Sequence, residues 1–287
     1  MRRFLVLLIS LLAVLGVTLA GSAAQAKPVR PPALPKYVAL GDSYSAGTGL
    51  TPYSSTTCLR SATQAYPTLL AGTSLTLTFT ACSGATIDSM LATQLVRVKD
   101  AKYVTLTIGG NDAGFRDVIS DCVDSTLTDG CSASGKAAAE AAVATLAAEL
   151  APALGTVQAK YPQATVYIAG YPALFGDNLT ANCPVGNYNG WLPMWVTPSD
   201  AQWLNAMAGQ LNAAIQAAAG QVGATYVDAA SAFDGHGLCD TSPAWVNGAV
   251  LDSAIPFDVN EKSFHPTADG QSAGYATAFR GAGFPSP

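Results

Sequence analysis

Five short runs rich in Val, Ile, Leu, Tyr and Thr alternate with longer helical stretches in this chain. That alternation constrains its fold more than any other feature. The runs are residues 37–40, 75–80, 103–108, 164–169 and 224–227. Their β-branched and aromatic side chains suit strands buried on both faces. An Ala-rich stretch, 135–160, predicts a long helix with Ser134 as its cap and Pro162 beyond its end. Ser199-Asp200 opens a second helix that ends near Ala219 with Gly220 closing it. A last helix is expected from Pro266-Thr267-Ala268-Asp269, with Pro266 at its first position. Strands alternating with helices predict an α/β fold, a mostly parallel sheet covered on both faces. Ligands of such sheets bind beyond the carboxyl ends of the strands. Residues that carry chemistry should therefore gather there.

They do. Gly41-Asp42-Ser43-Tyr44-Ser45-Ala46-Gly47 follows the first run and Cys82-Ser83-Gly84 the second. Gly109-Gly110-Asn111-Asp112 follows the third and Gly170-Tyr171-Pro172 the fourth. A serine between a strand and a helix can expose its hydroxyl beside backbone N–H groups that suit an anion. A free hydroxyl is a poor nucleophile and needs a base. Two histidines are available. His236 sits in a glycine-rich turn beside Cys239 and reads as a solvent-facing loop residue. His265 precedes the last helix and is the candidate base for Ser43. An acyl-transfer transition state also needs donors for its oxyanion, and losing one costs about a hundred- to a thousandfold in rate. The candidates are the Ser43 N–H, the Gly84 N–H and the Asn111 amide. Asp42 reads as a cap or loop brace, and Asp112 as a tie for the Asn111 loop. A mechanism based on the two carboxylates would leave Ser43, Gly84 and Asn111 without a purpose.

The block around Ser43, then Gly84, then Gly109-Gly110-Asn111-Asp112, then His265-Pro266 resemble the four ordered blocks of the SGNH/GDSL hydrolase family. The six-cysteine form is similar to the secreted actinobacterial esterases and lipases of that family. The resemblance implies a three-layer α/β/α sandwich with a flavodoxin-like sheet, and ester hydrolysis without a cofactor. It implies Ser43 as nucleophile, His265 as base, and Ser43, Gly84 and Asn111 as oxyanion donors. One position departs from the pattern. Most of the family carries an aspartate three residues before the histidine, where this chain has Lys262. A lysine cannot accept a hydrogen bond from the imidazole. Some similar secreted members use a backbone carbonyl instead, which here would be that of Ser263 or Lys262, with Ser263 favoured. Glu261 and Asp258 are nearby carboxylates without the family spacing.

The ends and the cysteines set the context. Arg2 and Arg3 precede an apolar run from Phe4 to Leu19, and Ala24-Gln25-Ala26 is a small-x-small site. Residues 1–26 therefore read as a signal peptide and 27–36 as a Pro-rich lead-in to a domain over 37–287. A secreted, extracellular protein without a stable membrane anchor is expected. Without Arg2 and Arg3 there are 12 basic against 19 acidic side chains, a net charge near −7, which argues against a nucleic-acid partner. Six cysteines in an exported chain argue for three disulfides. Of fifteen pairings, the sequential one closes small loops most readily: Cys58–Cys82, Cys122–Cys131 and Cys183–Cys239. With no CxxC pair and two histidines, no metal site is expected. The segment 186–195, with Tyr188, Trp191, Leu192, Met194 and Trp195, suits either an acyl groove or a disulfide-anchored loop packed on the core. Within this reading the substrate is an acyl lipid or other small ester and the protein a monomer. A carbohydrate O-acetyl esterase, with Trp191 or Trp245 stacking a sugar, is the runner-up. A non-catalytic extracellular binding module is the alternative from another class.

Overall fold

The computed structural model describes residues 32–285 except Pro256. The signal-peptide reading and the start of the lead-in lie outside the described residues. The five runs form one sheet, every neighbouring pair parallel. In space its strands are Thr76–Phe79, Lys36–Ala39, Ala101–Leu106, Thr165–Ala169 and Thr225–Val227. Numbered along the chain this is the order 2-1-3-4-5 of flavodoxin-like sheets, whose topological switch point lies between strands one and three. Each strand differs from its expected bounds by one or two residues. The third is shifted most: it ends at Leu106 because the Thr107 N–H turns to the Ser45 hydroxyl at 2.9 Å instead of continuing the ladder.

Alternation along the strands divides the core into two layers. Val38, Val104, Leu106, Val166 and Ile168 face the two long helices, Ala133–Lys160 and Pro198–Val222. The first presents Val143, Leu146, Leu150, Leu154 and Val157, a helical stripe with spacings of three and four. Each buried leucine there contributes about 1.5–3 kcal/mol. Tyr37, Ala39, Tyr167 and Val227 point to the other face, against Tyr66, Tyr275, Phe279 and Phe284. The α/β/α sandwich follows from both faces being apolar.

The helix signals needed correction at their ends. The first long helix is capped by Ser132, whose side chain accepts from the Gly135 N–H, and not by Ser134, which lies inside it. The second is capped by Thr197 and closed by Gly223, whose left-handed φ of 70° Gly220 is not required to supply. The last helical run passes through a π-helical stretch, Gly270–Ala276, to Thr277–Gly281. Pro266 does not begin it. Pro266 is held extended against Val246, and the Thr267 N–H is bound by the Trp245 carbonyl at 2.8 Å.

Three antiparallel hairpins had no counterpart in the sequence reading: Tyr53–Ser55 with Arg60–Ser61, Cys183–Tyr188 with Leu192–Val196, and Leu251–Ala254 with Phe257–Val259. The last two pack with the helix Phe115–Asp121 around a separate apolar cluster that includes Val118, Ile119, Leu174, Leu192, Leu251 and Phe264. Cys58 is bonded to Cys82, Cys122 to Cys131, and Cys183 to Cys239.

Candidate active site

Ser43 begins a single helical turn, Ser43–Ala46, directly after the first strand. The chain bends there at Gly41, whose φ is 116°. A side chain at that position would meet the Thr107 carbonyl oxygen at 2.3 Å, so only glycine fits. Gln94 clamps the bend, accepting from the Gly41 N–H at 2.7 Å and donating to its carbonyl at 2.9 Å. Asp42 caps the turn by accepting from the Tyr44 N–H at 3.0 Å.

Ser43 Oγ lies 2.7 Å from His265 Nε2. The other ring nitrogen, Nδ1, lies 3.0 Å from the Ser263 carbonyl oxygen. A carbonyl can only accept, so Nδ1 carries the proton and Nε2 presents its lone pair to the Ser43 hydroxyl. The Lys262 carbonyl is engaged elsewhere, by the His265 backbone N–H at 3.3 Å. Neither the Glu261 nor the Asp258 carboxylate hydrogen-bonds the ring. Glu261 instead pairs with Arg116 at the lip of the cleft, and Asp258 faces solvent. His236 does not line the cleft that holds Ser43. Its ring stacks on Trp245 with centroids 3.6 Å apart, and Nδ1 meets the Pro243 carbonyl oxygen.

The turn that aims the Ser263 carbonyl depends on Phe264, whose φ of 59° is uncommon for an aromatic residue. Three contacts hold it there. The Asn247 carbonyl accepts its N–H at 3.0 Å, the Tyr44 hydroxyl donates to its carbonyl at 2.7 Å, and its ring is buried. Tyr44 therefore ties the serine turn to the histidine loop. Tyr171 ties the serine turn to the Asn111 loop: its hydroxyl donates to Asp42 Oδ2 and accepts from the Gly110 N–H at 3.1 Å. Burial, then the adjacent Asp42 charge, holds that phenol protonated by raising its pKa. Neither tyrosine stands out from sequence as a site residue; their bulk and single hydroxyls at strand ends are the only local signal.

Asp42 is 1% exposed, and Oδ1 also accepts from Thr107 Oγ1 at 2.6 Å. Burial pushes its pKa up to about 6 against the pull of the hydrogen bonds from Thr107, Tyr171 and the backbone. It braces the serine turn. Asp112 accepts from the Ile87 N–H at 3.0 Å and so joins the Asn111 loop to the helix Ile87–Thr93.

The N–H groups of Ser43 and Gly84 have no hydrogen-bond partner among the described residues, and both residues line one cleft with Asn111. Gly84 holds a φ of 77°, and its loop is fastened by the Cys58–Cys82 bond and by the Ser83 N–H to the Cys58 carbonyl at 3.0 Å. Asn111 Nδ2 donates one hydrogen to the Ala85 carbonyl at 2.9 Å, which orients the amide and leaves its second hydrogen for a ligand. Phe115, Ile119, Leu174, Leu211 and Phe264 form the apolar part of the cleft wall, and Arg116, Ser120, Asn260 and Glu261 its polar part. The segment 186–195 does not line the cleft. Leu192 and Met194 are buried in the neighbouring apolar cluster, so the packed-loop alternative describes it and the acyl groove does not. Among the described residues no group of His, Cys, Asp and Glu side chains is placed to hold a metal ion.

A serine hydroxyl on an imidazole, with unpartnered N–H donors beside it at the switch point of a parallel sheet, defines a hydrolase equipped to open carboxylic esters. Residues 39–273 match the GDSL-like Lipase/Acylhydrolase family, and the chain belongs to that family. It is 37% identical over 290 residues to Lipase 1 of Streptomyces coelicolor, covering 98% of this chain and all of that one. The crystal structure of an extracellular lipase from Streptomyces rimosus matches with a TM-score of 0.72 at 35% identity, over 86% of this chain and 99% of that one. That of phospholipase A1 from Streptomyces albidoflavus NA297 matches with a TM-score of 0.71 at 34% identity, over 87% of this chain and its whole length.

Proposed function

We propose that this carboxylic ester hydrolase is secreted and acts on acyl lipids, phospholipids among them, through a Ser43–His265 dyad. The observation that carries the reading is the 2.7 Å contact between Ser43 Oγ and the proton-free nitrogen of His265. As Ser43 Oγ attacks the ester carbonyl carbon, its proton passes to His265 Nε2. The carbonyl oxygen becomes an anion beside the Ser43 N–H, the Gly84 N–H and the Asn111 amide, which are oriented before it forms. The C–O bond to the alcohol then breaks, and Nε2 returns the proton to the departing oxygen. An acyl-serine remains. Water attacks it, giving a proton to Nε2, and the second collapse releases the carboxylic acid and returns the proton to Ser43. No cofactor enters any step. The apolar cleft wall suits an acyl chain, and the printed names of the Streptomyces relatives support the lipid reading. An extracellular relative and three disulfides support export.

The direct test is labelling by a fluorophosphonate, expected at Ser43 and abolished in Ser43→Ala, followed by a p-nitrophenyl ester series. Octanoyl over acetyl is the expected preference. A strong acetyl preference would favour the carbohydrate O-acetyl esterase, and failure of the native protein to label would remove the serine-hydrolase reading.

The acid limb of the rate provides a second check. Burial pushes the His265 pKa down from its ordinary 6.5 to about 4; the nearby Arg116 charge adds to this, while the Ser263 carbonyl and Glu261 oppose it. The base works only when neutral. Activity should therefore persist below pH 6.5, with the fall in kcat/KM displaced toward pH 4; a limb at or above 6.5 would contradict the buried base. Stability follows the same sign at this residue. Between 6.5 and about 4 the unfolded chain binds a proton that the folded chain does not, so the His265 contribution declines as pH falls through that window. Asp42 acts in the opposite sense between its ordinary 3.8 and about 6.

A further inference from the structure

We propose that the hairpin Leu251–Ala254 and Phe257–Val259 is a lipid-docking element, with Ile255 at its tip entering a neutral or zwitterionic lipid surface beside the cleft. The inference rests on the lipid reading above and specifies the physical state in which that substrate is met. Ala254 pairs with Phe257 at the end of the hairpin, and Ile255 lies in the turn that follows the first strand. Turns are dominated by Gly, Pro, Asn, Asp and Ser, each for its own backbone or hydrogen-bonding reason, and a large aliphatic residue is not among them. This one carries an isoleucine that is 80% exposed. Val259, at the other end of the second strand, lines the cleft, and Asn260 and Glu261 continue along its lip. Val259 is four residues on from Ile255, at most about 14 Å of extended chain.

Ile255 is one of six large apolar side chains exposed among the described residues. Four of them, Leu127, Trp191, Val250 and Ile255, lie on or beside the segments that enclose the cleft-flanking apolar cluster. Leu127 belongs to the loop fastened to the neighbouring hairpin by the Asp124 and Trp195 backbones, and Trp191 sits at that hairpin's turn. Val250 adjoins the first strand of the docking hairpin and accepts at its carbonyl from the Asn260 N–H.

The charges choose the occupant. Asp252 and Asp258 are exposed on the two strands of the hairpin, and the chain from residue 27 onward is acidic overall. An anionic surface would repel both. A second copy paired through the same tip would bring these carboxylates toward their own symmetry mates. One exposed isoleucine is also far short of the roughly 800 Å² per partner that a standard protein interface buries. A neutral lipid surface meets neither objection, because it accepts a single aliphatic side chain while the flanking carboxylates stay in water.

Wild type and Ile255→Ser are compared on a soluble short-chain p-nitrophenyl ester and on phosphatidylcholine vesicles, with Val250→Ser as an independent second variant. The soluble rate should stay within about twofold in both. The vesicle rate of Ile255→Ser should fall about tenfold, as expected when one large aliphatic side chain no longer leaves water, and through the apparent KM rather than kcat. Ser43→Ala protein should sediment with the vesicles, and the added Ile255→Ser change should release it. Unchanged vesicle hydrolysis and sedimentation in Ile255→Ser would overturn the proposal, as would tighter binding to phosphatidylglycerol vesicles or a wild-type dimer that Ile255→Ser dissociates. A wild type that binds vesicles but hydrolyses neither substrate would instead sink the ester-hydrolase reading and leave the docking element standing.

Discussion

His265→Ala is expected to lower kcat by about a millionfold, the scale on which removing one member of a serine–histidine unit disables the whole. Among the described residues the ring is the only group hydrogen-bonded to the Ser43 hydroxyl, so it is the group placed to take its proton. Labelling of Ser43 by a fluorophosphonate should be lost in parallel, with the fold retained by circular dichroism. The contrast is informative. Glu261→Ala and Asp258→Ala should keep most activity, because neither carboxylate touches the ring and the Ser263 carbonyl faces Nδ1. A thousandfold loss in either folded variant would show that a carboxylate supports the imidazolium after all.

Asn111→Ala carries the second largest effect, an expected hundred- to thousandfold loss in kcat, or about 3–4 kcal/mol of transition-state stabilisation. The amide is preset by the Ala85 carbonyl, and its remaining hydrogen acts only once the carbonyl oxygen bears charge. The loss should therefore appear in kcat with KM nearly unchanged. A rise in KM at constant kcat would mean that Asn111 binds substrate and transition state alike. Asn111→Asp should be at least as damaging, since it replaces a donor with a negative charge near the developing oxyanion.

The frame of the molecule was legible because its signals are local. A run such as residues 164–169 states its strand through consecutive β-branched and aromatic residues, and the site residues then fall where a parallel sheet binds ligands. Ser43, Gly84 and Asn111 are found by that route, His265 by the choice between two histidines, and the structure brings all four to one cleft. The parts that were missed depend on distant partners. Tyr44 reaches Phe264 across 220 residues, and Tyr171 reaches Asp42 across 129, so neither bond leaves a trace in its own neighbourhood. The hairpins at 183–196 and 251–259 are held by contact with Ile119, Leu174 and Phe264 rather than by strong turn or alternation signals. Helix ends were displaced for a related reason: Ser132, Ser134, Gly220 and Gly223 are all acceptable terminators, and tertiary packing selects among them.

The partner facing His265 Nδ1 belongs to the main chain, and this gives the site a particular kind of robustness. An aspartate in that place is one substitution away from being lost, and it changes state whenever acid protonates it. The carbonyl of residue 263 survives every side-chain replacement there and does not titrate. Point substitution reaches it indirectly, through the left-handed turn at Phe264, the Tyr44 and Asn247 contacts that hold it, and the Ser263 hydroxyl bonded to the Val250 backbone. The orientation of the imidazole is thus encoded in the backbone path rather than in the identity of a third side chain.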